Sequence, residues 1–219
     1  MLPARTPART PIDGRYVRLE PLSPMHAEAL FEIGSHPDRE RLYRYLPEES
    51  AGSLADCGRW IAAKLASNDP LFYVCVDKGS GRVTGRQALM RITPEHGVIE
   101  IGNILWGAQM ARSRLSTESL FLMARYVFDD LGYRRFEWKC DSLNEPSRRA
   151  ALRFGFEFEG VFRQHLWVKG KNRDTAWYAM LDRDWPLLRA GYERWLDPRN
   201  FDAAGRQREP LAAPRGAAQ

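Results

Sequence analysis

An α+β fold on a mixed, mostly antiparallel sheet is predicted by three features of the sequence. The runs Leu71–Asp77, Arg82–Ile92 and Val98–Trp106 are rich in strand-forming residues and are separated by the turn stretches Lys78–Gly81 and Thr93–Gly97, which is the pattern of an antiparallel meander. Ser116–Gly132 places Leu120, Met123, Ala124, Val127, Phe128 and Leu131 on one helical stripe and ends on a glycine. A strand, Arg134–Cys140, follows that helix. Strand, helix and strand in succession ask for a right-handed crossover, and so for one parallel pair within the antiparallel sheet.

The remaining elements follow in order. Arg15–Leu22 alternates as a strand, and Ser23–Ser35 and Ser53–Asn68 read as helices that each open on a serine. Asn144–Phe154 is a short helix with Asn144 as N-cap, Pro146 in the first turn and Gly155 as the stop. Phe156–Val168 is a long strand, Lys169–Asn172 a turn, Arg173–Leu181 the last strand and Asp184–Leu196 a terminal helix rich in tryptophan. The predicted order is βααβββαβαββ plus that helix. Residues 1–11 and 198–219 are rich in Pro, Ala, Gly and Arg, so a flexible leading segment and a loose tail are expected around one domain, 12–197.

A chain of 219 residues, 44% hydrophobic, supports a sizeable core and excludes wholesale disorder. No run reaches the ~18 apolar residues of a membrane helix, and the first residues lack the apolar stretch of a secretion signal, so a soluble, cytoplasmic protein without membrane partners is expected. Cys57, Cys75 and Cys140 are odd in number and widely spaced, which suits buried thiols rather than disulfides or zinc. The four histidines, His26, His36, His96 and His165, are equally scattered, and no metal site is expected. The formal charge of +5 favours an anionic partner. Because the arginines cluster at 112/114, 134/135 and 148/149/153 rather than along one basic tail, local phosphate sites fit better than nucleic acid.

Two stretches carry candidate chemistry. In Trp106–Ser119, Ser116 is placed to cap a helix while Arg112 and Arg114 bring positive charge to the same end, as a diphosphate site would need. An ordinary capped helix with solvated arginines is the competing reading. In Asn144–Phe154, the predicted parallel pairing brings Ser147 to the edge where Val98–Trp106 ends. A hydroxyl there could bind a cofactor or give a proton to a leaving group, and Glu100 could accept or relay one. The competing readings are a capping Ser147 and a solvated Glu100 beside Arg91.

Taken together, the element order, "IEIG" at residues 99–102, "STES" at 116–119, "LGYRRFEWKCDSLNEPSRRAALRFGFEFEGVFR" at 131–163 and "RDTAWYAML" at 173–181 resemble the GNAT acyltransferases, and among them the RimJ/RimL-type N-acetyltransferases. The similarity spans roughly residues 12–185. It implies a twisted sheet with one splayed parallel pair flanked by helices, and acetyl-CoA as acyl donor. The family's phosphate loop, Q/R-x-x-G-x-G/A, matches Ala111, Arg112, Ser113, Arg114, Leu115 and Ser116, where both glycines are absent. Charge from Arg112 and Arg114 is the inferred compensation.

By the same resemblance, Asn103, Ile104 and Leu105 on the splayed strand, Arg112 through Thr117 at the helix start, and Asn144 and Ser147 would bind the donor. Ser147 would protonate the departing thiolate, Glu100 would act as general base, and a backbone N–H near Asn103 would stabilise the developing oxyanion. A glutamate used in the RimL branch falls at Leu166, beside His165, so that role does not transfer. The reaction implied is direct attack by a primary amine of a protein N-terminus, an amino acid conjugate or a small molecule. A non-catalytic nucleotide or nucleic-acid binding module that stacks bases on Trp167 and Trp177 is the alternative. A homodimer is compatible with either.

Overall fold

The computed structural model describes residues 2–211. Eight strands form one sheet: β1 (Ile12–Asp13), β2 (Val17–Pro21), β3 (Leu71–Asp77), β4 (Val83–Thr93), β5 (Val98–Trp106), β6 (Arg135–Asp141), β7 (Glu157–Val168) and β8 (Lys171–Leu181). Their spatial order is β1-β2-β3-β4-β5-β6-β8-β7, and every neighbouring pair is antiparallel except β5 with β6. The helices are α1 (Ala27–Gly34), α2 (Arg39–Tyr43), α3 (Leu54–Leu65), α4 (Arg114–Arg125, prolonged by a wide turn to Asp130), α5 (Glu145–Arg153) and α6 (Trp185–Trp195). The two-residue β1 and the five-residue α2 are too short to leave a periodic signal in the sequence.

The two faces of the sheet are covered unequally. Leu19, Tyr73, Ile99, Phe136 and Tyr178 point to one side and form the main core with Leu120, Met123 and Val127 of α4 and Trp185 and Tyr192 of α6. On the other side Phe72, Val74 and Ala88 meet Leu30 of α1 and Cys57 and Ile61 of α3. That second layer covers β3 and β4, and Leu105 at the end of β5 meets Tyr43 of α2 and Leu46, while the same face of the rest of β5 and of β6 and β8 carries charged and aromatic side chains. Cys57, Cys75 and Cys140 are all buried and free, and burial pushes the Cys75 thiol up to about 12.

Both chain ends dock as far as they are described. Ala4 is buried, its N–H bonds to Pro94 O and that of Arg5 to Leu131 O, so residues 2–11 are anchored rather than flexible. At the other end Phe201 packs on Tyr16 and Trp195, Gln207 accepts from Trp195 Nε1 at 3.0 Å, and Leu211 reaches the core. The loose tail expected from composition therefore does not begin at 198, because two aromatic rings give Phe201 a site to fill. Residues 212–219 lie outside the described part of the chain.

Candidate active site

The site grows from a defect in strand pairing. β5 and β6 are in register only from Val98/Arg135 to Ile101/Trp138, although β5 continues to Trp106 and β6 to Asp141. Between β4 and β5 the pairing jumps from Ala88–Gly102 to Arg86–Leu105, so β5 carries one extra residue there. Asn103 takes up the irregularity with φ of 51°, a conformation asparagine tolerates better than most residues. Its carbonyl is held by Arg86 Nη1 at 2.8 Å, and Arg86 in turn is buried and paired with Glu48. The bulge bends β5 away from β6 and leaves Asn103–Trp106 with no strand on the β6 side, so amides directed there need another partner.

Two helix N-termini stand at this opening. α5 begins right after β6, and its N-cap is Asn144, whose Oδ1 accepts from Ser147 N at 3.2 Å. Ser147 is therefore not the cap. Its Oγ instead accepts from Trp138 Nε1 at 3.0 Å, which occupies a lone pair and leaves the hydroxyl proton free to donate. Trp106 and Trp138 both touch Phe154, so α5 wedges against the diverging strands.

At α4 the cap is Ser113, whose Oγ accepts from Leu115 N, and not Ser116, which sits one turn inside and donates to Ser113 O. Arg112 is exposed and lies just before the cap with φ of 59°. Arg114 is exposed too, but its guanidinium stands 4.5 Å from the Tyr16 ring centroid and 5.8 Å from that of Phe201. Its guanidinium is thus held against two rings, and any phosphate it meets would share it with that packing. Thr117 is fully buried and its Oγ1 receives Arg153 Nη1 at 3.1 Å, so its side chain is engaged and only its backbone N–H could serve a ligand. Leu115, Ser116 and Leu105 have buried side chains and can offer only backbone groups. Glu118, the acid of "STES", accepts from the N–H groups of Arg15, Tyr16 and Val17 at 2.6–2.8 Å and pins the entry to β2.

Arg153, one of the 148/149/153 cluster, was given no individual role by the sequence. Its half-buried guanidinium sits against Trp195 and Phe154 beside the start of α4 and has no carboxylate partner among the described residues. Desolvation lowers its pKa without removing its charge. Exposed Arg112, capped α4 and Arg153 together provide what a diphosphate needs without the two missing glycines: free N–H groups at a helix start and positive charge.

Glu100 lies on the opposite, open face. It is 3% exposed rather than solvated, and its Oε2 is held by Arg91 Nη1 at 2.6 Å and Lys139 Nζ at 3.0 Å. Oε1 has no hydrogen-bond partner among the described residues and is directed at Gly102, where a Cβ would come within 3.3 Å of it. One oxygen is fixed and the other faces the widening of the sheet. Next to this opening, α1, α2, α3 and the end of β5 enclose a cavity of about 200 Å³ lined by Phe31, Tyr43, Trp60, Glu48 and Leu105. Trp167 is 75% exposed on the edge strand β7, whereas Trp177 packs on Phe162 and Lys139, so the two rings form no common stacking platform. No helix among the described residues is long and apolar enough to cross a membrane.

Comparison with known proteins agrees with this geometry. The family model described as an acetyltransferase (GNAT) domain matches residues 17–157. A GCN5-related N-acetyltransferase from Brucella melitensis is 52% identical, with a TM-score of 0.94 over 96% of each chain. A GNAT-family acetyltransferase structure from Chromobacterium violaceum is 38% identical, with a TM-score of 0.78 over 84% of this chain and 91% of its own. Among sequence relatives, the uncharacterized N-acetyltransferase YoaA of Bacillus subtilis is 24% identical over 163 residues, 74% of this chain and 92% of that protein. A sheet with one splayed parallel pair, helix starts at the split and a match over most of the chain lead to one conclusion: the chain belongs to the GNAT family of N-acetyltransferases.

Proposed function

We propose that the protein is an acetyl-CoA-dependent N-acetyltransferase of the RimJ/RimL type that acts on a primary amine by direct transfer. The observation that carries this reading is the split between β5 and β6, with α4 and α5 both starting at its mouth. Acetyl-CoA would supply an acyl group already activated as a thioester. The residues at the split fit such a donor. Amides of Asn103–Trp106 lack a strand on that side and can hydrogen-bond an amide-bearing arm as a strand would, while Ser113, exposed Arg112 and Arg153 surround the helix start that would take its phosphates.

The chain's own groups then divide the proton work. Glu100 Oε1, held in place through Oε2, accepts the proton an amine must lose, directly or through water. Ser147 Oγ, fixed by Trp138, donates toward the departing sulfur from the other face. A backbone N–H at the Asn103 bulge is oriented in advance by Arg86 and polarises the acyl oxygen. The test is a melting curve with acetyl-CoA and, separately, with single-stranded oligonucleotide, followed by thiol release with a panel of amines. Acetyl-CoA should raise the melting temperature and the oligonucleotide should not. Stabilisation by the oligonucleotide alone would replace the enzyme by a binding module.

A further inference from the structure

On the open face three cations are matched by three carboxylates. Arg91 and Lys139 hold Glu100, Lys139 also holds Glu137, and Arg135 bridges Glu137 and Glu159. Arg173 on β8 is different. Its side chain makes no hydrogen bond and no ion pair among the described residues, and its Nε is buried without an acceptor. Asp141 acts on it only through space, and that carboxylate already receives Leu143 N at 2.9 Å. Leaving a half-buried guanidinium unmatched is costly, and such a cost persists where a ligand removes it.

Its position gives the ligand a place. β6 pairs with β8 up to Asp141–Thr175, so Arg173 stands two residues beyond the end of that pairing, where β5 and β6 have parted. Two residues further along the same strand face as Thr175 lies Trp177, whose Nε1 is also buried without an acceptor. Between them His165 bonds Thr175 Oγ1 at 3.0 Å, set there by a double bulge in β7 that Asp174 fixes through Gln164 N. Phe162 and His165 flank the Trp177 ring at 4.5 and 6.0 Å. Burial, with Arg173, Arg91 and Lys139 nearby, keeps the His165 pKa below its ordinary value, so the imidazole adds no competing charge at neutral pH.

We propose that the amine acceptor carries a carboxylate that Arg173 receives, with an apolar body against the Phe162–Trp177 wall, so that the substrate class is a small amino acid-like zwitterion. The proposal rests on the transferase reading and narrows its acceptor. Two unmatched N–H donors call for a ligand rich in acceptor atoms, and a single guanidinium without a direct ion-pair partner among the described residues matches a carboxylate rather than a doubly charged phosphate. A peptide N-terminus presents an amide where this site offers a guanidinium.

The experiment offers the full-length protein, with acetyl-CoA, phenylalanine, leucine and methionine, each as the free acid, as the carboxamide and at the start of a tripeptide, and follows thiol release. The free acids should exceed the carboxamides in kcat/KM by about 10- to 100-fold, the range of a charge-assisted hydrogen bond. R173Q should erase that preference and R173K should keep part of it, both with an unchanged Kd for acetyl-CoA and a near-native melting curve. Equal or faster turnover of carboxamides or tripeptides would overturn the proposal, and so would no turnover of any acid by a protein that acetyl-CoA still stabilises. A protein that acetyl-CoA does not stabilise would overturn the transferase reading as well.

Discussion

Ser147 shows how one side chain combines structure and chemistry. Because Asn144 caps α5, Ser147→Ala removes no cap, but it deprives the Trp138 indole N–H of its acceptor. We expect a stability loss of about 1–3 kcal/mol. If the hydroxyl also serves the leaving sulfur, kcat per folded molecule falls while the KM for acetyl-CoA moves little, and a donor with a more acidic thiol loses less. Wild-type turnover in a protein that merely melts earlier would leave Ser147 with its structural task alone. Glu100→Gln should lower the rate by about 10²-fold or more with donor affinity retained, since it removes the proton acceptor and leaves the face intact. An unchanged rate and pH profile would shift that role to water or to His165. That Asn144 caps α5 was legible in the sequence, which also singled out Glu100 and Ser147 as candidates. Lys139 as a second partner of Glu100 was not, since it meets Glu100 across the parallel pair whose register no local pattern fixes, nor was the bond from Trp138 to Ser147, which needs α5 folded back on β6.

At the scale of elements, the two arginines of the α4 start separate. Arg112→Ala should weaken CoA more than a pantetheine fragment lacking the nucleotide, and increasingly so at low salt. Arg114→Ala should leave both affinities nearly unchanged and lower the melting temperature, because it removes the cation between Tyr16 and Phe201. The reverse result would restore Arg114 to the phosphate. The charged ladder over β5, β6 and β7 makes a pH prediction. Burial alone would raise the Glu137 carboxyl, but hydrogen bonds and charge from Lys139 and Arg135 outweigh it and hold the pKa below its ordinary value. A carboxyl lowered by folding adds stability above its unfolded value of ~4.3 and loses it as pH falls through the folded value. Acid titration of stability should therefore steepen below about pH 4.3, and Glu137→Gln should flatten it. Element types and order were legible from periodicity and turn residues. The β5 bulge was not, since it depends on pairing with β4 and on Arg86 reaching Asn103.

For the molecule as a whole, composition misjudged the ends and pattern judged the middle well. Pro- and Arg-rich stretches look solvated when read alone, yet Ala4 and Phe201 find apolar sites that α4, α6 and the β4–β5 turn create only after folding. Ending the chain at Asp197 should cost about 2 kcal/mol through the lost burial of Phe201 alone, or about 4–8 °C in melting temperature for a chain of this size. An unchanged melting curve would return the segment to a loose tail. In this reading the strand split and the α4 start form one donor site. Amide hydrogen exchange with and without acetyl-CoA measures it directly. Slower exchange confined to Asn103–Trp106, Ser113–Thr117 and the first turn of α5 is the predicted result. Protection located elsewhere, or none in the split while acetyl-CoA binds, would contradict it.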